Sequence, residues 1–112
     1  MISEAELYEL RALCPDARPH VEGGIEYVFL PHLLLPDGCS PQAVDCLLCL
    51  GARDGYDNRL FFSAIVACAA QRNWNGVNIR VLERNWFAYS WRVPSGLRPI
   101  ETLISHLKAL RI

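Results

Sequence analysis

Apolar residues recur at helical spacing near both ends of the chain. Near the start they lie three or four residues apart on one face: Leu7, Leu10, Leu13 and Cys14. Ser3 followed by Glu6 fits a capping box, in which the two residues satisfy free backbone amides at a helix start. Pro15 cannot continue a helix, so the pattern predicts one helix over residues 3–14.

A second apolar stripe lies near the C-terminus: Ile100, Leu103, Ile104, Leu107 and Leu110. Pro99 suits the first position of a helix, because that position needs no amide donor. Lys108 and Arg111 lie near the end, where the helix dipole favours cations. These features predict a terminal helix that begins at Pro99.

Between these helices, short apolar runs rich in β-branched and aromatic residues predict strands. The predicted strands cover residues 25–30, 43–50 and 60–68, with a shorter one over 77–82. Turn signals accompany them at Gly23-Gly24, Pro36-Asp37-Gly38, residues 51–58 and Asn75-Gly76. Three to four sequential strands without intervening helices favour an antiparallel β-meander covered by helices. We therefore predict an α+β fold in one domain, residues 1–112, in which an irregular Trp-rich segment precedes the C-terminal helix.

Composition and charge exclude several classes of protein. The chain has 112 residues, of which 52% are hydrophobic and 21% charged, a balance typical of a folded domain. Its net charge of −1 argues against nucleic acid or an anionic membrane as a partner, and it is compatible with a homo-oligomer. No apolar run approaches the ~20 residues of a transmembrane helix. The acidic, amphipathic start is unlike a signal peptide, so we expect a cytoplasmic protein.

The cysteines are expected to be reduced thiols that pack as small hydrophobic side chains. The five are Cys14, Cys39, Cys46, Cys49 and Cys68. Cys46 and Cys49 have CxxC spacing, but residues three apart on a strand point to opposite faces of the sheet. No second CxxC or paired histidine completes a tetrahedral site, and no glycine-rich phosphate motif is present. The sequence predicts neither a metal nor a cofactor.

Cys68 has two interpretations. It ends the predicted third strand just before a polar segment with Asn73 and Asn75, where a carboxamide could stabilise an oxyanion beside an exposed thiol. Its neighbours Val66 and Ala67 are apolar, and such surroundings favour the neutral thiol over the reactive thiolate. Cys68 is therefore either a catalytic nucleophile or a buried packing residue.

Aromatic and arginine side chains concentrate between residues 72 and 92: Trp74, Trp86, Tyr89 and Trp91, with Arg72, Arg80, Arg84 and Arg92. This mixture is typical of interface hot spots and of surfaces that stack on single-stranded RNA. It also suits a tryptophan-rich lid over the sheet, with arginines at its rim. The histidines are scattered and are expected to be structural or surface residues: His20, His32 and His106.

Several short motifs follow one another along nearly the whole chain. They are Glu22-Gly23-Gly24, Leu35-Pro36-Asp37-Gly38, the Asp45-containing strand, Gly55-Tyr56, and Asn85-Trp86-Phe87-Ala88-Tyr89-Ser90-Trp91 leading through Pro99 into the last helix. With the order helix, meander, loop and terminal helix, these motifs resemble the ubiquitin-conjugating (UBC) fold. More specifically, the chain resembles the bacterial UBC-like family E proteins, which are found beside ubiquitin-like proteins and adenylating, ubiquitin-activating-type enzymes.

The resemblance implies work with a ubiquitin-like protein, but one element of the UBC pattern is missing. A UBC enzyme carries the modifier's C-terminus as a thioester on an exposed cysteine, which usually follows a His-Pro-Asn motif and an Asn-Gly turn. No His-Pro-Asn occurs here, and no cysteine follows Asn75-Gly76; residues near Ile79 fill that position. The resemblance therefore implies a pseudoenzyme that lacks the usual catalytic cysteine.

Two functions follow from the resemblance. The first is a non-catalytic binding or scaffold protein that engages a ubiquitin-like protein or its activating enzyme in a bacterial conjugation pathway, antiviral (antiphage) defence included. The candidate partner-binding residues are Trp74, Trp86, Tyr89 and Arg92 in the aromatic segment, with Glu4 and Glu9 on the first helix. That helix contacts the activating enzyme in the resembled fold.

The second function is that of an active, divergent ubiquitin-conjugating-type transferase. Its nucleophile would be Cys68, with Asn73 or Asn75 stabilising the oxyanion. Ser90 is a weaker candidate, which would form an oxyester instead of a thioester.

Overall fold

The structure, a computed structural model, describes residues 1–111, which form two helices and eight strands. The helices are α1 (Glu4–Arg11) and α2 (Pro99–Lys108). The strands are β1 (Arg18–Glu22), β2 (Ile25–Leu34), β3 (Ala43–Cys49), β4 (Ala52–Arg53), β5 (Tyr56–Asp57), β6 (Leu60–Phe62), β7 (Gly76–Val81) and β8 (Arg84–Ala88). Within this range, neither helix has the length and apolar character needed to cross a membrane.

Six strands form one antiparallel sheet in the order β1-β2-β3-β6-β8-β7. The first four members of this order follow the chain, as strands of a meander do. β4 and β5 form a separate hairpin in the connection between β3 and β6, and β7 lies at the far edge, outside β8. The structure confirms the α+β class and the antiparallel sheet.

The two faces of the sheet bury separate sets of apolar side chains. One face packs against both helices and holds the larger core, which includes Leu10, Leu30 and Leu103. The other face holds a smaller core around Trp86. The sheet is curled. The ring centroids of Trp86 on β8 and Phe29 on β2 are only 6.3 Å apart, although β3 and β6 lie between those two strands.

The CxxC residues on β3 have a packing role. Cys46 lies in the larger core and Cys49 in the smaller one, so the two side chains point to opposite faces of the sheet, as predicted. Both are fully buried. In the described range, no group of three or more His, Cys, Asp or Glu side chains is placed to hold a metal ion.

Both predicted helices are present, and local capping interactions mark their starts. The Ser3 hydroxyl accepts a hydrogen bond from the Glu6 amide at 3.1 Å, and the Glu6 carboxylate accepts one from the Ser3 amide at 2.9 Å. These two bonds confirm the capping box. The second helix begins at Pro99, as predicted.

The first helix is shorter than predicted and ends at Arg11. The amides of Leu13 and Cys14 both bond to the Leu10 carbonyl, at 3.0 and 2.9 Å, which closes the helix in a tight turn. Cys14 still reaches the larger core, whereas Leu13 is 42% exposed. The apolar stripe therefore continues one turn beyond the helix itself.

The sheet contains two strands that the sequence pattern does not predict. Every residue of β1 is exposed, so the strand has no apolar alternation. It forms because the Gly23-Gly24 turn, with φ of +61° and +77°, folds it back onto β2. The second such strand is β8, which occupies part of the segment predicted to be irregular.

The predicted turn at Asn75-Gly76 is wrong. Gly76 is buried and begins β7, where a Cβ atom would lie only 2.8 Å from Ile79 Cδ1. A larger residue there would have to displace the end of the Ile79 side chain and would lie 3.3 Å from the Ala88 carbonyl oxygen, so glycine gives the closest packing. The chain turns at Leu82 and Glu83 instead, whose φ values of +52° and +61° connect β7 to β8.

A disulfide corrects the expectation of five reduced thiols. The strand predicted over residues 60–68 stops at Phe62, and the chain then forms an antiparallel bridge in which Ser40 and Ala67 exchange backbone hydrogen bonds of 2.7 and 3.0 Å. Cys39 and Cys68 flank this bridge with Cα atoms 4.2 Å apart, and their sulfur atoms are bonded. Long-range pairing of two loops therefore decides the state of these cysteines.

Candidate functional site

A polar cluster surrounds Tyr56 on the β4–β5 hairpin. The Tyr56 hydroxyl donates to the Ser90 hydroxyl at 3.1 Å and accepts from the Asn75 side-chain amide at 2.9 Å. Two residues singled out by the sequence, Asn75 and Ser90, thus meet at one phenol oxygen. Together with Arg59 and Arg92 they are termed the Tyr56 cluster below.

Two guanidinium groups lie beside the Tyr56 ring. The Cζ atom of Arg59 is 4.0 Å from the ring centroid and that of Arg92 is 4.7 Å, both within cation–π range. Arg92 is exposed and donates to the Gly55 carbonyl at 2.9 Å. The two hydrogen bonds of the phenol, and then the two guanidinium charges, lower the pKa of Tyr56 below its usual value.

Arg59 is the buried member of the cluster, with 3% of its surface exposed. Its Nη2 donates to Asn75 Oδ1 and to the Tyr89 carbonyl, the latter at 3.2 Å, while its Nε has no partner. Across residues 1–111, no carboxylate forms an ion pair with it. Burial lowers the pKa of Arg59, but a guanidinium remains charged at neutral pH. The site therefore holds an uncompensated positive charge.

His106 on α2 supports the cluster from the core. Its Nε2 lies 2.7 Å from the Asn58 carbonyl, and its own carbonyl accepts from the Tyr89 hydroxyl at 2.6 Å. The side chain is 1% exposed, and burial lowers the pKa of His106 to about 4. The ring is therefore neutral at pH 7, with the Nε2 proton donated to the carbonyl, and the residue is structural, as predicted.

The burial of His106 predicts a pH-dependent stability. The unfolded chain protonates this residue near its ordinary pKa of about 6.5, whereas the folded protein resists protonation until about pH 4. The free energy of unfolding is therefore not reduced by His106 above about pH 6.5. It decreases as the pH falls below that value, because the unfolded chain then binds a proton that the folded protein does not. We expect a loss of about 2 kcal/mol from this residue between pH 7 and pH 5.

Urea unfolding at several pH values measures this effect in wild type and His106→Gln. Glutamine keeps a donor for the Asn58 carbonyl but does not titrate, so the variant should lose less stability over this interval. His20→Gln is the control, because His20 is exposed and its replacement should leave the slope unchanged. Equal slopes for wild type and His106→Gln would contradict the prediction.

No protein-family model, curated protein or solved structure matches the chain. The UBC-like resemblance therefore rests on the sequence motifs alone.

Two of the predicted partner-binding residues lie in the core. Trp86 is 0% and Tyr89 2% exposed. The Trp86 indole donates to the Val81 carbonyl at 2.9 Å, and the Tyr89 hydroxyl is bonded to His106. Both are therefore core residues, and Trp86 belongs to strand β8 of the sheet itself and not to a lid over it.

Trp74 and Arg92 are accessible to a partner. The Trp74 ring is half-buried and packs at 5.2 Å, between centroids, from both the Phe62 ring and the Tyr89 ring. Arg92 extends into solvent from the segment after β8. Of the four partner-binding residues predicted in the aromatic segment, only Trp74 and Arg92 are thus accessible.

The acidic residues of α1 are separate from this site. Glu4 is exposed, whereas Glu9 is half-buried and pairs with Arg98 at 2.6 Å, which links the two helices. Glu9 therefore has a structural partner within the chain, and Glu4 is the more accessible of the two.

The structure brings together three of the four predicted catalytic residues. The Asn73 carbonyl accepts from the Ser90 amide at 2.7 Å and from the Asn75 amide at 2.9 Å. Asn73 thus contributes its backbone to the Tyr56 cluster. Cys68 does not join them, because its sulfur is bonded to Cys39.

Sequence reasoning missed two members of the cluster as site residues: Tyr56, which it used only as part of the Gly55-Tyr56 motif, and Arg59. Arg59 directly precedes Leu60, the first residue of buried strand β6. An arginine at the edge of an apolar run is usually solvent-exposed. Only the long-range contacts with Asn75 and Tyr89, 16 and 30 positions along the chain, show that this one is enclosed.

Proposed function

We propose that the chain is a non-catalytic, UBC-like binding module of a bacterial ubiquitin-like conjugation pathway, such as one in antiphage defence. It acts in the cytoplasm and engages a ubiquitin-like protein or the adenylating enzyme that activates it. The state of the cysteines carries this proposal, because a conjugating enzyme needs an accessible thiolate to hold its modifier as a thioester.

While the Cys39–Cys68 bond is intact, no cysteine within residues 1–111 is both free and exposed. Cys39 and Cys68 are bonded to each other. Burial raises the pKa of the other three: Cys14, Cys46 and Cys49, the last to about 11. A thiol with a raised pKa stays protonated near pH 7 and is a poor nucleophile. Ile79, near the position where the resembled family has its nucleophile, is half-buried against the smaller core.

We assign partner binding to the surface formed by the Tyr56 cluster and Trp74. Arginine, tyrosine and tryptophan are the residue types that contribute most to protein interfaces. Arg92 is exposed beside the half-buried Tyr56 ring, and the ring of Trp74 is partly accessible. Glu4 on α1 marks a second, separate surface for an activating enzyme.

One observation favours acyl transfer through Ser90 as a second candidate function. The Ser90 hydroxyl is bonded to Tyr56, whose pKa is lowered. In this alternative the Ser90 oxygen attacks the carbonyl carbon of the modifier's thioester. The departing sulfur takes up the hydroxyl proton, and an oxyester remains. A route through Cys68 would first require reduction of its bond to Cys39.

An adduct assay separates these functions. The protein, with and without prior reduction, is incubated with ATP and with the adenylating enzyme and ubiquitin-like protein of a bacterial conjugation pathway. The mixture is then examined by co-purification and on a non-reducing gel. We expect a complex without a covalent adduct. A reducible adduct lost in Cys68→Ala, or a base-sensitive adduct lost in Ser90→Ala, would show a transferase instead.

Matched arginine variants test the assigned surface. Arg92→Gln should weaken the complex by about fivefold, because it removes an exposed interface charge. Arg80→Gln is the control, since Arg80 is also exposed but lies on β7 with only a 3.5 Å contact to Asn85. Equal retention of the partner by both variants would remove the Tyr56 cluster from the interface.

A further inference from the structure

The Tyr56 cluster carries an inference that does not depend on the proposed function. We infer that it binds a carboxylate group presented by a polypeptide, either a chain terminus or an acidic side chain. Three features support this binding: a buried charge without a carboxylate partner, the polar groups beside it, and the exposure of Asn75, which contacts that charge.

The ion-paired arginines of the described chain are all more exposed than Arg59. They form the pairs Arg84–Asp45, Arg98–Glu9 and Arg53–Asp54, and their side chains are 41%, 57% and 26% exposed. Arg59 is 3% exposed and has no carboxylate partner. Removing a charge from water is costly, so buried charges are normally paired. A bound carboxylate would supply the missing counter-charge.

The free atoms of Arg59 match the shape of a carboxylate. The Nε–H and one Nη2–H lie along the same side of a guanidinium and form a fork that two carboxylate oxygens can bridge. In Arg59 the Nε is buried without a partner, and Nη2 donates to both Asn75 Oδ1 and the Tyr89 carbonyl. The Nε prong is therefore unpaired, and of the two neutral oxygens on Nη2 only the one on Asn75 belongs to a side chain that can move away for a ligand.

Asn75 marks the position that one ligand oxygen would take. Its side chain is exposed, so the amide can rotate away and leave Nη2 of Arg59 to the ligand. The exchange replaces a neutral acceptor with a charged one, and charge-assisted hydrogen bonds are roughly twice as strong as neutral ones. The Tyr56 and Ser90 hydroxyls, which are bonded to each other, and the Arg92 guanidinium, 4.7 Å from the Tyr56 ring centroid, are the other polar groups around Tyr56 that a ligand can meet.

The charge balance favours a carboxylate over a phosphate. Asp54 is the acidic residue whose field acts on Arg59, and it pairs with Arg53 at 3.3 Å, which offsets its repulsion of an anion. Arg92 is exposed and already solvated. One negative charge is therefore sufficient to compensate the buried guanidinium. A phosphate dianion would bring a second negative charge, and the only cation left to pair with it in the cluster would be the solvated Arg92.

Side-chain NMR of the arginine Nε–Hε groups tests this inference. The protein is titrated with N-acetylglycine, which presents a terminal carboxylate, and with N-acetylaspartic acid α-amide, which presents a side-chain carboxylate. N-acetylglycinamide and inorganic phosphate are the comparison ligands. We expect the Arg59 signal to shift saturably with at least one carboxylate and to remain unchanged with the amide. The tighter carboxylate identifies the source.

The variants are placed at other residues, because replacing the buried Arg59 would also disturb the fold. Arg92→Gln and Tyr56→Phe should each weaken carboxylate binding about fivefold, while Arg80→Gln should not change it. Three results would overturn the inference: no saturable shift, an equal shift with the amide, or phosphate binding at least about tenfold tighter than either carboxylate. Carboxylate binding without any complex in the conjugation assay would overturn only the proposed function.

Discussion

We expect Trp86→Ala to lower the free energy of unfolding by about 4 kcal/mol. The side chain is fully buried, and its indole donates to the Val81 carbonyl at 2.9 Å. Its ring also packs edge-on against Phe29 and lies 4.9 Å from the guanidinium of Arg84. Alanine would leave a cavity in the smaller core and an unpaired carbonyl, and urea unfolding measures the loss.

Two further variants serve as comparisons for Trp86→Ala. Trp86→Phe should cost less than Trp86→Ala, because it keeps an aromatic ring and loses only part of the volume and the indole donor. Val77→Ala, on the same hairpin but 53% exposed, should change stability by less than about 0.5 kcal/mol. A folded, fully stable Trp86→Ala protein would contradict a core role for this residue and would restore it as a partner-binding candidate.

The second large effect is expected from reduction of the Cys39–Cys68 disulfide. Reduction should lower the free energy of unfolding by about 3 kcal/mol, because the bond closes a loop between residues 29 apart in sequence and restricts the unfolded chain. Urea unfolding with and without dithiothreitol measures the difference. In a reducing cytoplasm the reduced value would apply, and Cys68 would be a free, half-buried thiol, so the reduced arm of the adduct assay tests it as a nucleophile.

A double variant provides the control for that experiment. Cys39→Ser combined with Cys68→Ser should have the stability of the reduced wild type and should not respond to dithiothreitol. The three other cysteines are free and buried in both proteins, so they do not contribute to the difference. Equal stability of oxidised wild type and double variant would show that the bond does not stabilise the fold.

The candidate site was only partly predictable from the sequence. Asn75 and Ser90 were selected for their chemistry, and the structure places both at the Tyr56 hydroxyl. Arg59 was not selected, because its burial depends on contacts with side chains and backbone up to 30 positions away. Cys68 was selected for its place at the end of a predicted strand, but a partner 29 residues away determines its chemistry.

What the sequence by itself determined is local. The capping box of Ser3 and Glu6 and the helix that begins at Pro99 involve residues within a few positions of each other, so the chemistry of neighbours is sufficient to predict them. The same holds for the central strands β2 and β3, whose apolar runs are buried.

Only the tertiary structure decided which distant segments meet. Some neighbouring pairs were also hidden from the sequence pattern: the fully exposed strand β1 pairs with β2 across the Gly23-Gly24 turn, and β7 and β8 pair around a turn at Leu82 and Glu83 that no typical turn sequence marks. The Tyr56 cluster likewise draws on the β4–β5 hairpin, the residue before β6, and the segments that flank β7 and β8. Such contacts depend on strand order and on the curl of the sheet, and neither is encoded in the spacing of neighbouring residues.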